Sequence, residues 1–358
     1  MSTSQSIYRA EKPLRLELGG VIDRLEIAYH TFGTLNERRD NVIWVCHALT
    51  ANSDVADWWP HTVVEGGFLD PGRYFVVCAN IIGSCYGTTG PLSISPSTGR
   101  PYYGDFPAVT MRDVARAHRL LAAHLGIDRI HGLVGASVGG FQALEWAAQE
   151  PGRFEAIVLL ATAAKASPWT IAIDETQRMA ISADKTFGNP DPEAGAAGLA
   201  AARALGLLTY RGPEGYNLTQ QDNPDAPCSL PGLPASHRAC TYQTHQGEKL
   251  VSRFNAYSYM TILDTFDTHD IGRDRGGVAC ALEAIASGGA RILAIGLSTD
   301  LVFTPAEMRQ LASMIPGCAY EEISSPLGHD GFLVEHGQLN SILVPFFRQE
   351  AAQSQTQS

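Results

Sequence analysis

The stretch RIHGLVGASVGGFQALEWAAQE (129–150) decides the reading of this chain. At its centre stands Gly135-Ala136-Ser137-Val138-Gly139-Gly140, a G-x-S-x-G pattern, which is weak alone in a chain with 35 glycines among 358 residues. The flanks make it specific. IHGLVGAS is an apolar run suited to a buried strand, and VGGFQALEWAAQE reads as an apolar helix. A serine at such a strand–turn–helix junction is a nucleophile elbow: small residues at Gly135 and Gly139 permit a strained turn that presents the hydroxyl above the sheet. The Val138 amide then lies at a helix N-terminus, where it can face a developing oxyanion. The competing reading is a glycine-rich turn whose serine caps the helix.

Working outward, short β-rich runs occur at NVIWVCHA (41–48) and YFVVCANI (74–81), with an alternating hairpin around Gly19-Gly20 before them. In VTMRDVARAHRLLAAHLGI (109–127), Val114, Ala115, His118, Leu121, Ala122 and Leu125 share one helical stripe that ends at Gly126. FEAIVLLATAA is another strand. ARILAIGLSTD (290–300), TPAEMRQLASMI and CAYEEISSP repeat strand, helix, strand, and GFLVEHGQLNSILVPFFRQ closes as one amphipathic helix. Strands alternating with helices imply a mostly parallel α/β sheet. The alternation fails over 166–288, which is helix-prone and Ala-rich, then polar and Pro-rich, then helical again. The expected organisation is therefore a core of residues 1–165 and 289–358 with a helical lid inserted at 166–288. The tail EAAQSQTQS is polar and expected to fray.

A serine nucleophile needs a base, and the base needs an orienting acid. In an elbow fold the order is Ser, then Asp or Glu, then His, each after a late strand. Asp300 directly follows ARILAIGLST, and His329 follows CAYEEISSPLG. Both fall where loops gather at the carboxyl edge of a parallel sheet. Asp300 has an alternative use as a helix cap, but Thr304-Pro305 is the better cap and first-turn pair. His336, inside the last helix, and His269, in the insertion, are rivals for the base. His118, His124 and His131 read as packing or surface residues.

Composition narrows the partners. The net charge of −11 and the lack of a Lys/Arg run argue against nucleic acid. The seven cysteines are odd in number and scattered, so neither a disulfide framework nor a metal site is expected. Cys46, Cys78 and Cys280 sit in apolar or small-residue surroundings and read as buried thiols. With no apolar leader and no 18-residue apolar span, no membrane association is expected, and cytoplasm is the default location.

Several stretches together resemble the homoserine O-acetyltransferase family of α/β-hydrolase-fold acyltransferases. They are CHALT (46–50), VVCANIIGSCYGTTGP (76–91), STGRPYYGDFP (97–107), TMRDVARAH (110–118), GASVGGFQALEWA (135–147), ETQRMAI (175–181), RFNAYSY (253–259), STDLVF (298–303) and GHDGFL (328–333). The elbow departs slightly, since the family more often has Gly-Gly-Ser-Met where this chain has Gly-Ala-Ser-Val. The resemblance implies a ping-pong transfer from acetyl-CoA, a co-substrate, to the side-chain hydroxyl of L-homoserine in methionine biosynthesis, with no resident cofactor. Ser137 would carry the acyl group, His329 act as base and Asp300 fix its tautomer. The Leu49 amide would be the second oxyanion donor beside Val138.

For the amino-acid carboxylate the resemblance points to Arg203 and Tyr210, which are seven apart and so share a helix face. Asp330 would hold the ammonium. Arg211 is a rival cation on a different face. The family also implies a homodimer through the insertion, where RFNAYSYMTILDTF (253–266) is apolar and aromatic; Phe254, Tyr257, Met260 and Leu263 have the alternative of packing onto their own sheet domain. Two other readings compete. One keeps the fold and triad but uses succinyl-CoA, serine or water; the other is a binding protein on the same scaffold, which would have no need of all three triad residues.

Overall fold

The computed structural model describes residues 4–222 and 237–348. The Pro-rich stretch around Cys228 and the C-terminal tail lie outside the described residues. An eight-stranded sheet runs in the order β1 (Ser6–Arg9), β4 (Glu26–Phe32), β6 (Phe75–Ala79), β5 (Val42–Cys46), β7 (Ile130–Ala136), β8 (Phe154–Leu160), β9 (Arg291–Leu297), β10 (Ala319–Ile323). From β6 to β10 every neighbouring pair is parallel, while β1 and β4 join antiparallel at one edge. The hairpin expected around Gly19-Gly20 is present but short, pairing β2 (Leu14–Arg15) with β3 (Val21–Ile22) apart from the main sheet. Strand β1, the four residues SIYR, is too short to be legible in sequence; it pairs along the edge that β4 offers.

The central strands are buried on both faces, which is why they read as continuous apolar runs rather than alternating ones. One face is covered by α2 (Met111–His124) and α3 (Val138–Gln149), the other by α1 (Val55–Trp58) and the C-terminal helices. Helix α2 starts on a reciprocal cap between Thr110 and Asp113 and turns out at Gly126, whose φ is +66°. The closing helix is two helices, α10 (Gly331–Val334) and α11 (His336–Arg348). The carbonyl of Phe332, which a continuous helix would give to the amide of His336, instead accepts the Trp59 indole N–H at 2.8 Å.

Within 166–288, helices α4 (Pro168–Ser182), α5 (Ala196–Thr219), α6 (Arg238–Val251) and α7 (Ala256–Asp267) share their own apolar cluster around Ile181, Leu199, Leu250 and Tyr259. Helix α8 (Val278–Ser287) behaves differently: Ala281, Leu282 and Ile285 pack into the sheet's core cluster. One expectation is corrected here. Cys280 is exposed, because only the other face of α8 meets the core and small neighbours alone do not bury a side chain. Of the four apolar residues weighed for a second copy, Phe254, Tyr257 and Leu263 are buried within their own chain and Met260 is half-buried. Among the described residues no helix is long and apolar enough to cross a membrane.

Candidate active site

Strand β7 ends at Ala136 and α3 begins at Val138, leaving Ser137 alone to reverse the chain at φ 56°, ψ −125°. A non-glycine residue there stores strain, which the surroundings must hold. The glycines on either side show how. A Cβ at Gly135 would stand 2.2 Å from the Gly139 carbonyl oxygen, and one at Gly139 would stand 2.0 Å from that of Cys46. The turn is thus closed against itself and against β5. The Ser137 amide donates to Leu160 O at 2.9 Å, and Thr162 Oγ1 donates to Ser137 O at 2.9 Å. The Ser137 hydroxyl makes no helix-capping bond, which removes the capping reading.

That hydroxyl lies 2.9 Å from His329 Nε2, and His329 Nδ1 lies 2.7 Å from Asp300 Oδ2. The carboxylate can only accept, so Nδ1 carries the proton and the Nε2 lone pair faces Ser137. Asp300 is itself fixed: Oδ1 accepts the amides of Val302 at 2.7 Å and Phe303 at 3.1 Å, while Thr304 caps α9 (Pro305–Met314). Burial pulls the His329 pKa down, but the charge and hydrogen bond of Asp300, with Asp330 adding to them, outweigh it and the net shift is upward.

The rival histidines stand elsewhere. His269 stacks on Phe141 with ring centroids 3.9 Å apart, and burial lowers its pKa to about 3. His336 packs beside His61.

A cavity of about 550 Å³ opens over Ser137 and His329, and Leu49, Val138, Arg203, Tyr210 and Asp330 also line it. Neither the Leu49 nor the Val138 amide donates to a protein group among the described residues. Arg203 sits with its guanidinium carbon 5.7 Å from the Tyr210 ring centroid and has no carboxylate partner among the described residues. Tyr210 lies near His329, 6.1 Å between ring centroids, and burial pushes its hydroxyl up to about 12. Arg211, beside Tyr210 in sequence, turns away to donate from Nε to Asp330 Oδ2 at 2.9 Å. Ser137, His329, Leu49, Val138, Arg203, Tyr210 and Asp330 therefore share one cavity, with Asp300 behind the imidazole of His329.

The sequence reading missed other lining residues, among them Asp174, Lys249 and Arg253. Arg253 Nη1 donates to Thr50 O at 2.6 Å, tying the segment between α6 and α7 to the turn that holds Leu49. Burial raises the Asp174 pKa well above the ordinary carboxylate value, and the neighbouring Asp267 adds to the rise while Arg178 opposes it. Both Asp174 and Arg253 lie in or beside the quoted motifs ETQRMAI and RFNAYSY, but nothing in their spacing directs a side chain to the cavity.

A family model for the α/β-hydrolase fold matches residues 41–336. The homoserine O-acetyltransferase of Cyclobacterium marinum is 44% identical over 344 residues, covering 96% of this chain and 95% of that protein. That of Chlorobaculum tepidum is 41% identical over 354 residues, covering 98% and 96%. Among solved structures, the homoserine O-acetyltransferase of Bacillus anthracis superposes with a TM-score of 0.88 at 25% identity, covering 98% of each chain. Esterase E22 superposes at 0.85 with 24% identity, covering 96% of this chain and 99% of its own, a likeness of fold alone. With near-complete coverage at this identity, the chain belongs to the homoserine O-acetyltransferase family of the α/β-hydrolase fold.

Proposed function

We propose that this enzyme moves an acetyl group from acetyl-CoA to the side-chain hydroxyl of L-homoserine, a step toward methionine, through an acyl-serine intermediate. The observation that carries the reading is the relay Asp300–His329–Ser137, at 2.7 and 2.9 Å, opening into a cavity also lined by Arg203, which has no carboxylate partner among the described residues. In the first half-reaction Ser137 Oγ bonds to the thioester carbon while its proton passes to His329 Nε2. The C–S bond then breaks and the CoA thiolate takes that proton. In the second half-reaction the homoserine oxygen bonds to the acyl carbon, its proton passes to Nε2, and the bond to Ser137 breaks as Oγ takes the proton back. Asp300 holds the imidazole in the one tautomer that serves both halves. The Leu49 and Val138 amides receive the oxyanion of each tetrahedral intermediate.

For the acceptor, the Arg203 fork takes the carboxylate with Tyr210 beside it, since a guanidinium matches two carboxylate oxygens at once. Asp330 takes the ammonium through Oδ1, its Oδ2 being held by Arg211. The lid, which we place at α4–α7, covers the cavity; keeping water out is what makes a transferase rather than a hydrolase of such a serine.

The deciding experiment is product analysis with acetyl-CoA and succinyl-CoA, each offered homoserine, serine and water. O-acetylhomoserine as the main product supports the reading; a succinyl ester, an O-acylserine or free acid as the main product overturns it. We further propose a homodimer through the lid, supported by Trp169, Met179, Leu205 and Leu208, which stand exposed on α4 and α5. Sedimentation that gives only a 38.5 kDa species at micromolar concentration overturns the dimer.

A further inference from the structure

The turn that carries Leu49 is held from below by three side chains that never reach the cavity. His47, Gln142 and His118 are all buried. Their hydrogen bonds leave no freedom in the protonation pattern. The Ile81 amide donates to His47 Nε2 at 3.2 Å, so His47 carries its proton on Nδ1 and donates it to Ala48 O at 2.8 Å. Gln142 Nε2 donates to His47 O at 3.0 Å and, at 3.4 Å, to Val138 O. A flipped amide would set its oxygen against both carbonyls, so Oε1 faces the other way and accepts from His118 Nε2 at 3.0 Å. The His118 ring is clamped, stacked on Trp146 at 5.5 Å and edge-on to Trp44 at 5.8 Å.

The consequence lies in peptide geometry. Ala48 O and the Leu49 N–H belong to one planar trans peptide and point in opposite directions. Drawing Ala48 O onto the His47 ring therefore turns the Leu49 N–H away from it. The Gln142 amide reaches both segments that supply the oxyanion donors: the His47 carbonyl two residues before Leu49, and the first turn of α3, which begins at Val138.

We infer that His47, Gln142 and His118 form a buried brace of positioning residues that aims the Leu49 amide at the oxyanion formed on Ser137. The inference rests on the roles proposed above for Ser137 and Leu49. Burial lowers the pKa of both histidines to about 4, so both stay neutral and keep these donors in place across the working range. Gln142 is the link with the clearest consequence, because an apolar side chain of its size removes the donor to His47 O without emptying the space.

The test compares Gln142→Met and His118→Phe with the parent, using p-nitrophenyl acetate as the acyl donor and trifluoroacetone as a probe that forms an oxyanion on the serine. The two readouts are the acylation rate, from nitrophenolate release, and the inhibition constant of the ketone. For Gln142→Met the acylation rate is expected to fall about 10–100-fold with the KM for the ester little changed, and the ketone to bind weaker by a similar factor. His118→Phe keeps the aromatic packing and loses only the bond that orients Gln142, so a smaller fall in both readouts is expected. Folded variants, checked by thermal melts, that acylate and bind the ketone like the parent overturn the brace. A lower melting temperature with unchanged kinetics also overturns it, since that is what packing alone would give. A parent that releases no nitrophenolate and binds no ketone at Ser137 overturns the serine reading itself, and the brace with it.

Discussion

At the sheet edge, Ser137 is fixed by a closed turn, by two glycines that admit no side chain, and by a histidine whose far nitrogen is already committed to Asp300. On the proposed lid, Arg203 rests against the face of Tyr210 at 5.7 Å and makes no hydrogen bond or ion pair among the described residues. One part of the lining is determined by backbone packing, and another by side chains on helices that form a separate apolar cluster. The difference teaches where each kind of change should act. Damage at the sheet edge should remove the chemistry, whichever acceptor is offered, while damage on the lid should change only what is accepted.

The harshest break of that contrast is Ser137→Ala. It removes one oxygen from a turn whose closure depends on other atoms, so the fold is expected to survive and activity to fall by about 10⁵–10⁶-fold. The parent should release CoA from acetyl-CoA in a burst without homoserine; the variant should show none. A persisting burst, or acetyl mapping to another residue, removes Ser137 from the chemistry.

Asp300→Asn comes next, with a fall of about 10⁴-fold expected, because an amide can hold the imidazole in the wrong tautomer. Its burst rate, measured beside the steady-state rate, should fall in proportion. A variant that loses only acceptor turnover would place Asp300 on the wrong side of the comparison.

On the lid, Arg203→Met should leave the CoA-releasing half nearly untouched and raise the homoserine KM about 10–100-fold, the range for losing hydrogen bonds to a charged group. An unchanged KM takes Arg203 out of the acceptor site. An equal loss in the burst would mean that the lid also sets the chemistry, and the contrast between the two parts would fail.

The same contrast explains what could be read in advance. The elbow, the central strands and the triad were legible because each rests on local necessity: an apolar run for a doubly buried strand, glycines where a Cβ would collide, an acid and a base after late strands. Arg203 and Tyr210 were legible as partners through their spacing on one helix, but their place in the cavity came from the resemblance. The break between α10 and α11 was not legible, because it depends on Trp59, 273 residues from Phe332 in sequence. The Arg211–Asp330 pair was hidden for the same reason, being 119 residues apart. Cys280 misled because a small-residue neighbourhood resembles a core in sequence but says nothing of which face of α8 meets the sheet.

The smallest expected effect is a displacement along the pH axis, and it sharpens the sheet-edge side of the comparison. Acylation needs His329 neutral at Nε2, so kcat/KM for p-nitrophenyl acetate should rise with pH through the His329 pKa and level off above it. In the parent that pKa lies above the ordinary 6.5: burial lowers it, but Asp300, with Asp330 adding to its effect, raises it further. Replacing Asp300 by Asn removes the principal raising charge and leaves the burial, so the limb of the surviving activity should move to lower pH. Asp330→Asn removes only the lesser charge and should move it in the same direction by less, with the Ser137 burst retained. A limb that stays in place in both variants would show that the titrating group is not His329. A limb that moves to higher pH would mean that the charge of Asp300 does not stabilise the imidazolium, against the short Nδ1 contact that places it there.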